Sequence, residues 1–588
     1  MLLDILTIGL AVSGLAAALE LDARCKQDTF KDVLPKEATI EKLASVEKGG
    51  EYGEGKDNIP YPYNPKDLPE LCAVTVKVNS SRKSAYRFGL FLPTEWNSKI
   101  LTVGNGGFAG GINWLDMGAG VHYGFASTST DTGHNSSVTD LEWAYQNEET
   151  RIDWGWRAIH GTVELGRKMT AQYYDGDVKR SYYSGCSTGG RQGLKEMQKF
   201  PKSFDGVLVG APAWNPPILN TFVTQIGIYN LPNNTEHHIN STLFKTIGAE
   251  VAKQCDELDG VKDGIVSAPE ECHPDWTKIG CDIKGINQSE CLHPEQMKTL
   301  ENMYKGFKSE DGKTTLWPGF LPSAEAQFNT VLRDQEPTPF GVQFNRYFVY
   351  DRPDWQWRDF NKSAVTTATK KNPGDSRADK YDLSEFRDRG GKIVMYHGMA
   401  DGLVTIQGTN MYFDRVVDKM GGRPDDFFRY FKVPGMQHCY STVVNAPWNF
   451  AGAFQAGSLG NDTWSVPNFQ DAEHDMLMAL MKWVEEDKPV DSVIATTWET
   501  TTNASTPVLR QRPLCPVPQQ AVYNEEGDVN KADSWQCKDV RNGETDTGDK
   551  DGKTGSTDDG DEDAAASFRP SAILVAVAIA LCTLLLWN

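Results

Sequence analysis

Short apolar runs separated by glycine turns give the first half of the chain its rhythm. Residues 85–92 and 100–103 are apolar runs of strand length, and the second enters a glycine-rich turn at 104–111. Apolar positions at helical spacing predict a helix over about 152–174. A short strand at 181–184, a tight turn at 185–190, a helix at 191–200 and a buried strand at 206–209 follow. Strand, helix and strand in that order predict a parallel sheet with crossover helices. The rhythm is lost over about 213–387, a Pro-, Asn- and Trp-rich stretch with four cysteines, and resumes with strands at 391–397 and 427–433. The simplest organisation is one α/β domain, residues 19–212 and 388–542, interrupted by an insertion at 213–387. No internal repeat is present.

Both ends read as processing signals. Residues 2–18 form an apolar run ending in Ala16, Ala17 and Ala18, as a secretory signal does, although Asp4 interrupts it. An acidic linker is expected at 543–566. The tail at 567–588 contains 17 residues, 571–587, without a charge. A polar spacer, small residues and a terminal apolar run form the layout of a GPI-attachment signal. A single tail anchor is the alternative.

Composition narrows the function. The net charge of -21 argues against a nucleic-acid partner, because phosphate binding needs clustered Lys and Arg. Residues 544–563, with nine acidic and two basic side chains, supply -7 of it. Of 11 cysteines, Cys582 lies in the apolar tail, which leaves ten that can all pair, as suits an oxidising compartment. Eight N-x-Ser/Thr sequons, at Asn79, Asn135, Asn233, Asn240, Asn287, Asn361, Asn461 and Asn503, agree with export.

The chemistry begins at Gly185-Cys186-Ser187-Thr188-Gly189. This G-x-S-x-G pattern follows a strand and opens a helix, the setting of the nucleophile elbow in α/β-hydrolases. A serine hydroxyl needs a base to take its proton, and in this fold the triad runs Ser, acid, His along the chain. His438 follows the 427–433 strand through a turn, and Asp401 follows the 391–397 strand. Ser187, Asp401 and His438 are therefore the expected triad. His397 competes as base but precedes the acid. Cys186 precedes the nucleophile and Cys439 follows the base, so a meeting of the two catalytic side chains brings these cysteines within disulfide reach. An oxyanion hole needs two backbone N–H groups. Thr188 supplies one, and Gly107 is expected to supply the other, with Gly106 as second choice.

This Cys-Ser, Asp, His-Cys arrangement resembles the tannase and feruloyl esterase family of fungi and bacteria. The resemblance runs from about Cys25 to Cys537. It implies an α/β-hydrolase fold with a large lid inserted between nucleophile and acid, and hydrolysis of esters of aromatic acids. It also guides the other pairings, expected as Cys25–Cys72, Cys255–Cys272, Cys281–Cys291 and Cys515–Cys537. In the insertion, Asp256, Asp259 and Asp263 are separated by glycine turns. Read alone, they are either a solvated acidic turn or ligands converging on a hard cation. The resemblance implies a structural Ca²⁺ held by those three carboxylates and the carbonyls of Val261 and Ile265.

The expected function is a secreted serine ester hydrolase of feruloyl esterase type, acting through an acyl-enzyme on Ser187, with a wall-polysaccharide-linked ester as substrate and a lipid anchor as a route to the membrane. The alternatives are a tannase acting on galloyl esters and a surface binding protein with a dead site.

Overall fold

Apolar runs of strand length assemble into one nine-stranded sheet. Its members before the insertion are β1 (Ala38–Val46), β2 (Leu71–Val78), β3 (Tyr86–Pro93), β4 (Lys99–Val103), β5 (Ala126–Thr130), β6 (Arg180–Cys186) and β7 (Gly206–Gly210). The insertion carries a small hairpin of its own, β8 (Phe307–Lys308) and β9 (Thr315–Trp317). The sheet is completed by β10 (Lys392–Gly398) and β11 (Phe428–Val433), in the order β1-β2-β3-β5-β4-β6-β7-β10-β11. The pairs β1/β2, β2/β3 and β3/β5 are antiparallel, and all pairings from β5 to β11 are parallel. The computed structural model describes residues 23–309 and 311–539. The expected signal at 1–18, linker at 543–566 and tail at 567–588 lie outside them.

β7 and β10 are neighbours, with Gly210 opposite Tyr396, so the intervening chain leaves the sheet at one strand end and returns to the next strand. Residues 213–387 add no strand to the sheet. Their apolar side chains nevertheless share a core with it. Trp214, Phe222, Phe320 and Phe328 cluster with Val207, Val209, Ile393 and Met395 from one sheet face. Alternate residues Leu208, Val394 and Tyr396 point to the other face, against Trp448 and Trp483, as a period of two requires. Each such large apolar side chain, when fully buried, contributes about 1.5–3 kcal/mol.

Three features depart from the sequence pattern. β5 is Ala-Ser-Thr-Ser-Thr, a polar run that is buried throughout. It is tolerated because Thr128, Ser129 and Thr130 donate their hydroxyls to the carbonyls of Gly89, Val103 and Arg87 at 2.7, 3.0 and 2.9 Å. The expected helix at 152–174 is α-helical only over Ala158–Tyr174. It is preceded by a π-turn at Asp153–Arg157 and a short helix at Glu148–Ile152. Carbonyls of that turn are taken by the buried Arg191, which donates to Gly155 at 2.6 Å and Trp154 at 3.1 Å. The helix expected at 191–200 begins earlier, at Thr188–Lys199, so Gly189 and Gly190 lie inside it. At Gly190 a Cβ would come within 2.5 Å of the Gly210 carbonyl oxygen, and the close approach of helix and sheet explains the glycine.

Candidate active site

Ser187 stands between the end of β6 and the start of the Thr188–Lys199 helix, with φ 61° and ψ -122°. This strained conformation is held from both sides. Its N–H donates to the Gly210 carbonyl at 3.0 Å, and its own carbonyl accepts from Ala213 and Arg191 at 3.1 and 3.0 Å. Strain of this kind persists only where the surroundings over-determine it, and it aims the side chain out of the sheet.

Asp401 lies past the end of β10 and His438 past the end of β11. His438 Nδ1 is 2.6 Å from Asp401 Oδ2. The other oxygen, Oδ1, accepts the N–H groups of Leu403 and Val404 at 2.9 and 2.8 Å. Burial works to raise the Asp401 carboxyl, but the His438 charge and hydrogen bonds from His397 and His438 outweigh it. The group is held well below the ordinary carboxylate range. His438 Nε2 is buried and has no hydrogen-bond partner among the described residues. It therefore keeps a lone position for a proton from another group.

Ser187 and His438 line one cleft of about 590 Å³, together with Gly107. The tether expected between their neighbours is present: Cys186 and Cys439 are bonded, with Cα atoms 5.9 Å apart. Cys439 itself has φ 67°, and Ser187, next to Cys186, has φ 61°, so positive-φ residues stand at both ends of this bond. Cys25–Cys72, Cys255–Cys272, Cys281–Cys291 and Cys515–Cys537 are bonded as well. Five disulfides are the mark of a protein folded in an oxidising compartment, as secreted proteins are.

His397 is fully buried and away from the cleft. Its Nε2 is 2.9 Å from Asp401 Oδ2 and 2.8 Å from the Val404 carbonyl oxygen, and its Nδ1 is 2.8 Å from the Thr409 hydroxyl. Donation from Nε2 to the carboxylate and acceptance at Nδ1 from Thr409 satisfy the ring, so His397 supports the acid. Gln327, from the insertion, is a second support that the sequence pattern did not reveal. Its Oε1 accepts the N–H of Gly402 at 3.0 Å and of His438 at 3.2 Å.

The two oxyanion candidates in the 104–107 turn are distinguished by their partners. Gly106 donates its N–H to the Tyr61 hydroxyl at 2.9 Å. The Gly107 N–H has no partner among the described residues, and its φ of 53° with a Cβ position 2.7 Å from the Val138 carbonyl requires glycine. Thr188 opens its helix, so its N–H has no intrahelical acceptor. Behind Ser187 a recess of about 40 Å³ is walled by Phe108, Trp154, Leu219, Val223, Phe340 and Leu403. Phe340 and Leu403 also line the cleft.

The acidic loop of the insertion is bracketed by the Cys255–Cys272 bond. Asp256 Oδ1 accepts the Gly264 N–H at 2.9 Å, Asp259 Oδ1 that of Val261 at 3.0 Å, and Asp263 Oδ1 that of Ile265 at 3.0 Å. Asp263 Oδ2 faces Arg510 and Arg512. Asp259 Oδ2 is buried without a hydrogen-bond partner, and burial pushes this carboxyl up. The three carboxylates are not drawn within 4.8 Å of one another, as exposed Asp471 and Glu473 are with His474.

Comparison with known proteins agrees with the geometry. The sequence profile described as "Tannase and feruloyl esterase" matches residues 72–538. The chain is 32% identical over 534 residues to a protein of Aspergillus clavatus named probable feruloyl esterase B, covering 88% of this chain and 98% of that one. A probable feruloyl esterase B-2 of Aspergillus fumigatus is 31% identical, with 87% and 96% covered. Among solved structures, feruloyl esterase B from Aspergillus oryzae superposes with a TM-score of 0.79 at 28% identity, over 88% of this chain and 99% of that one. A tannin acyl hydrolase from Aspergillus niger shares the fold, with a TM-score of 0.68 at 18% identity over 88% of this chain and 95% of that one.

Proposed function

Because the chain belongs to the tannase and feruloyl esterase family, a family of carboxylic ester hydrolases, we propose that it hydrolyses feruloyl esters through an acyl-enzyme on Ser187. The observation that carries this reading is the free Nε2 of His438, anchored at Nδ1 by Asp401 and sharing a cleft with Ser187. Ser187 Oγ attacks the ester carbonyl carbon while its proton passes to His438 Nε2. The carbonyl oxygen becomes an oxyanion that the Thr188 and Gly107 N–H groups stabilise. Collapse breaks the bond to the alcohol oxygen, which takes the proton from His438. Water then attacks the acyl-enzyme carbonyl carbon as His438 takes its proton; collapse breaks the bond to Ser187 Oγ, which regains its proton from His438, and the acid departs as second product. Asp401 holds the imidazole in one tautomer and stabilises its cationic form.

The apolar recess suits the aryl group of the acid. At about 40 Å³ it falls short of the ~150 Å³ that admits a benzene ring. Phe340 or Leu403 therefore has to turn aside as the ring enters. A galloyl group, with three ring hydroxyls, finds a poorer match in these walls than a feruloyl group. Methyl ferulate and methyl gallate, assayed side by side, test this choice: faster turnover of the gallate overturns it. Ser187→Ala, and loss of fluorophosphonate labelling with it, tests the nucleophile. Retained ferulate hydrolysis in that variant ends the assignment.

For the acidic loop, calcium is proposed as a structural ion. The unpartnered, buried Asp259 Oδ2 supports it, as does a donor set made only of oxygens. Asp256, Asp259 and Asp263 would hold the ion with the Val261 and Ile265 carbonyls, supplying cross-linking of the loop and no part of the ester chemistry. Export with a GPI anchor, and glycans on the sequons, complete the proposal. Seven of the eight sequon asparagines are exposed; Asn461 is half-buried and donates to the Asn64 carbonyl at 2.9 Å. No helix among the described residues is long and apolar enough to cross a membrane.

A further inference from the structure

A second cavity, of about 630 Å³, stands behind the wall that carries His438. Two segments form the partition. Gln327 and the turn from Gln437 to Ser441 face the cleft that holds Ser187. Ser323, Ala326 and Asn329, together with Val443 and Val444, face the second cavity. Neither Ser187 nor His438 lines it, so it is no part of the site described above. Its volume lies within the range of about 300–1,000 Å³ that small-molecule sites occupy.

One wall is a single face of the helix Leu243–Cys255. Lys245, Gly248, Ala249 and Ala252 recur there at the three- and four-residue spacing that aligns side chains on a helix. After the lysine that stripe is only Gly and Ala, and a Cβ on Gly248 would meet no atom nearer than 3.8 Å. Larger side chains would fill the space, so the small ones keep it open. Phe244 is the one ring in the wall, and Val443 at its edge is left 61% exposed. The charge lies at one end. Lys245 sits in the first turn of the helix, beside Ser241 and Thr242, and a helix N-terminus favours negative charge. Lys245 makes no ion pair among the described residues, whereas Lys253 of the same helix pairs with Glu250 at 3.2 Å. It is the one charged side chain among the described residues of the wall. Glu325, packed behind Gly248, is committed to the Tyr304 hydroxyl and the Ser323 N–H.

We propose that this cavity binds an aliphatic monocarboxylate, a fatty acid, with its chain along the Gly248–Ala252 stripe and its carboxylate at Lys245. A wall with one cation and no carboxylate selects an anion, and a wall with one ring suits an aliphatic chain better than an aromatic body. Calorimetry with decanoate, below its micelle concentration, tests this on the full chain. Wild type is expected to bind one equivalent. Ala249→Trp, at an exposed helix position, fills the cavity and should abolish binding. Lys245→Glu should weaken decanoate at least ~3-fold and leave the affinity for decanol, which lacks the charge, unchanged. Decanoate binding that survives Ala249→Trp places the ligand elsewhere, the catalytic cleft included, and overturns the site. So does the absence of binding to wild type, or equal affinity for decanoate in Lys245→Glu and wild type. Circular dichroism melts check that each variant is folded, and Ala252→Leu takes the place of Ala249→Trp where that variant is not.

Discussion

Gln327 Oε1 accepts the backbone N–H of His438 at 3.2 Å, although the two residues lie 111 positions apart. The same oxygen accepts the N–H of Gly402 at 3.0 Å, next to Asp401. One carboxamide from the insertion thus joins the acid loop to the base loop. Gln327→Ala removes both bonds and leaves two N–H donors short of an acceptor. The expected result is a fall in kcat on methyl ferulate of about 10-fold, with KM changed less, since small misplacement of a triad member is costly. Gln327→Glu, which retains an acceptor oxygen, should recover part of the loss. Equal turnover in Gln327→Ala and wild type would show that the loops hold themselves in place.

The Cys186–Cys439 bond closes a loop of 253 residues. Chain entropy alone sets its contribution at up to about 5 kcal/mol. The double variant Cys186→Ala, Cys439→Ala should melt many degrees lower and lose turnover before it loses secondary structure, because the nucleophile and base loops separate first. Thermal melts followed by circular dichroism, beside activity at each temperature, check this order. Coincident loss of both signals would mean the bond stabilises the whole fold without positioning the site.

Glu325 is fully buried, accepts from the Tyr304 hydroxyl at 2.6 Å, and is pushed up to about 7 by burial. A carboxyl raised on folding contributes stability that is fully present below the unfolded value, ~4.3, and is lost as pH rises through the folded one. Across pH 4.5 to 7 the unfolded chain ionises this group while the folded chain resists. Glu325→Gln should therefore flatten part of the fall in melting temperature over that window. Parallel wild-type and variant curves would remove Glu325 from the account.

Calcium at the acidic loop would act by mass action, raising the stability of the folded state alone. EDTA should lower the melting temperature while activity on methyl ferulate persists at low temperature. Asp259→Ala should melt like the chelated protein and be insensitive to further EDTA. Elemental analysis of protein purified without chelator measures the ion directly, and its absence there closes the proposal. Instant loss of all turnover on chelation, with the fold intact, would make the metal catalytic instead.

Much of the site is written in local order along the chain. The elbow is legible because a strand, a G-x-S-x-G turn and a helix are contiguous. The order of Ser187, Asp401 and His438 follows from strands that each end in a loop at the same sheet edge. Cys186 and Cys439 flank two of those residues, so their pairing could be expected before any coordinates. The insertion showed itself as a loss of rhythm between β7 and β10. β5 did not show itself, since a Ser/Thr run lacks apolar alternation. Its hydroxyls become acceptable in a core only when neighbouring strands present carbonyls to them.

The sequence by itself determined the fold class, the nucleophile elbow, the acid and base candidates and the cysteine tether, because each rests on residues close in the chain or on strand ends in fixed order. Only the tertiary structure decided that His397 buttresses Asp401 and stays out of the cleft, and that Gly106 is committed to Tyr61 while Gly107 is free. It alone brought Gln327 to His438 and placed a second cavity behind the wall they share. A hydrogen bond leaves no periodic trace in the sequence, whether it spans four positions, as between His397 and Asp401, or 111, as between Gln327 and His438. Which way a side chain faces is settled only by packing, and the Gln327 bond exists only once the insertion has folded back onto the sheet.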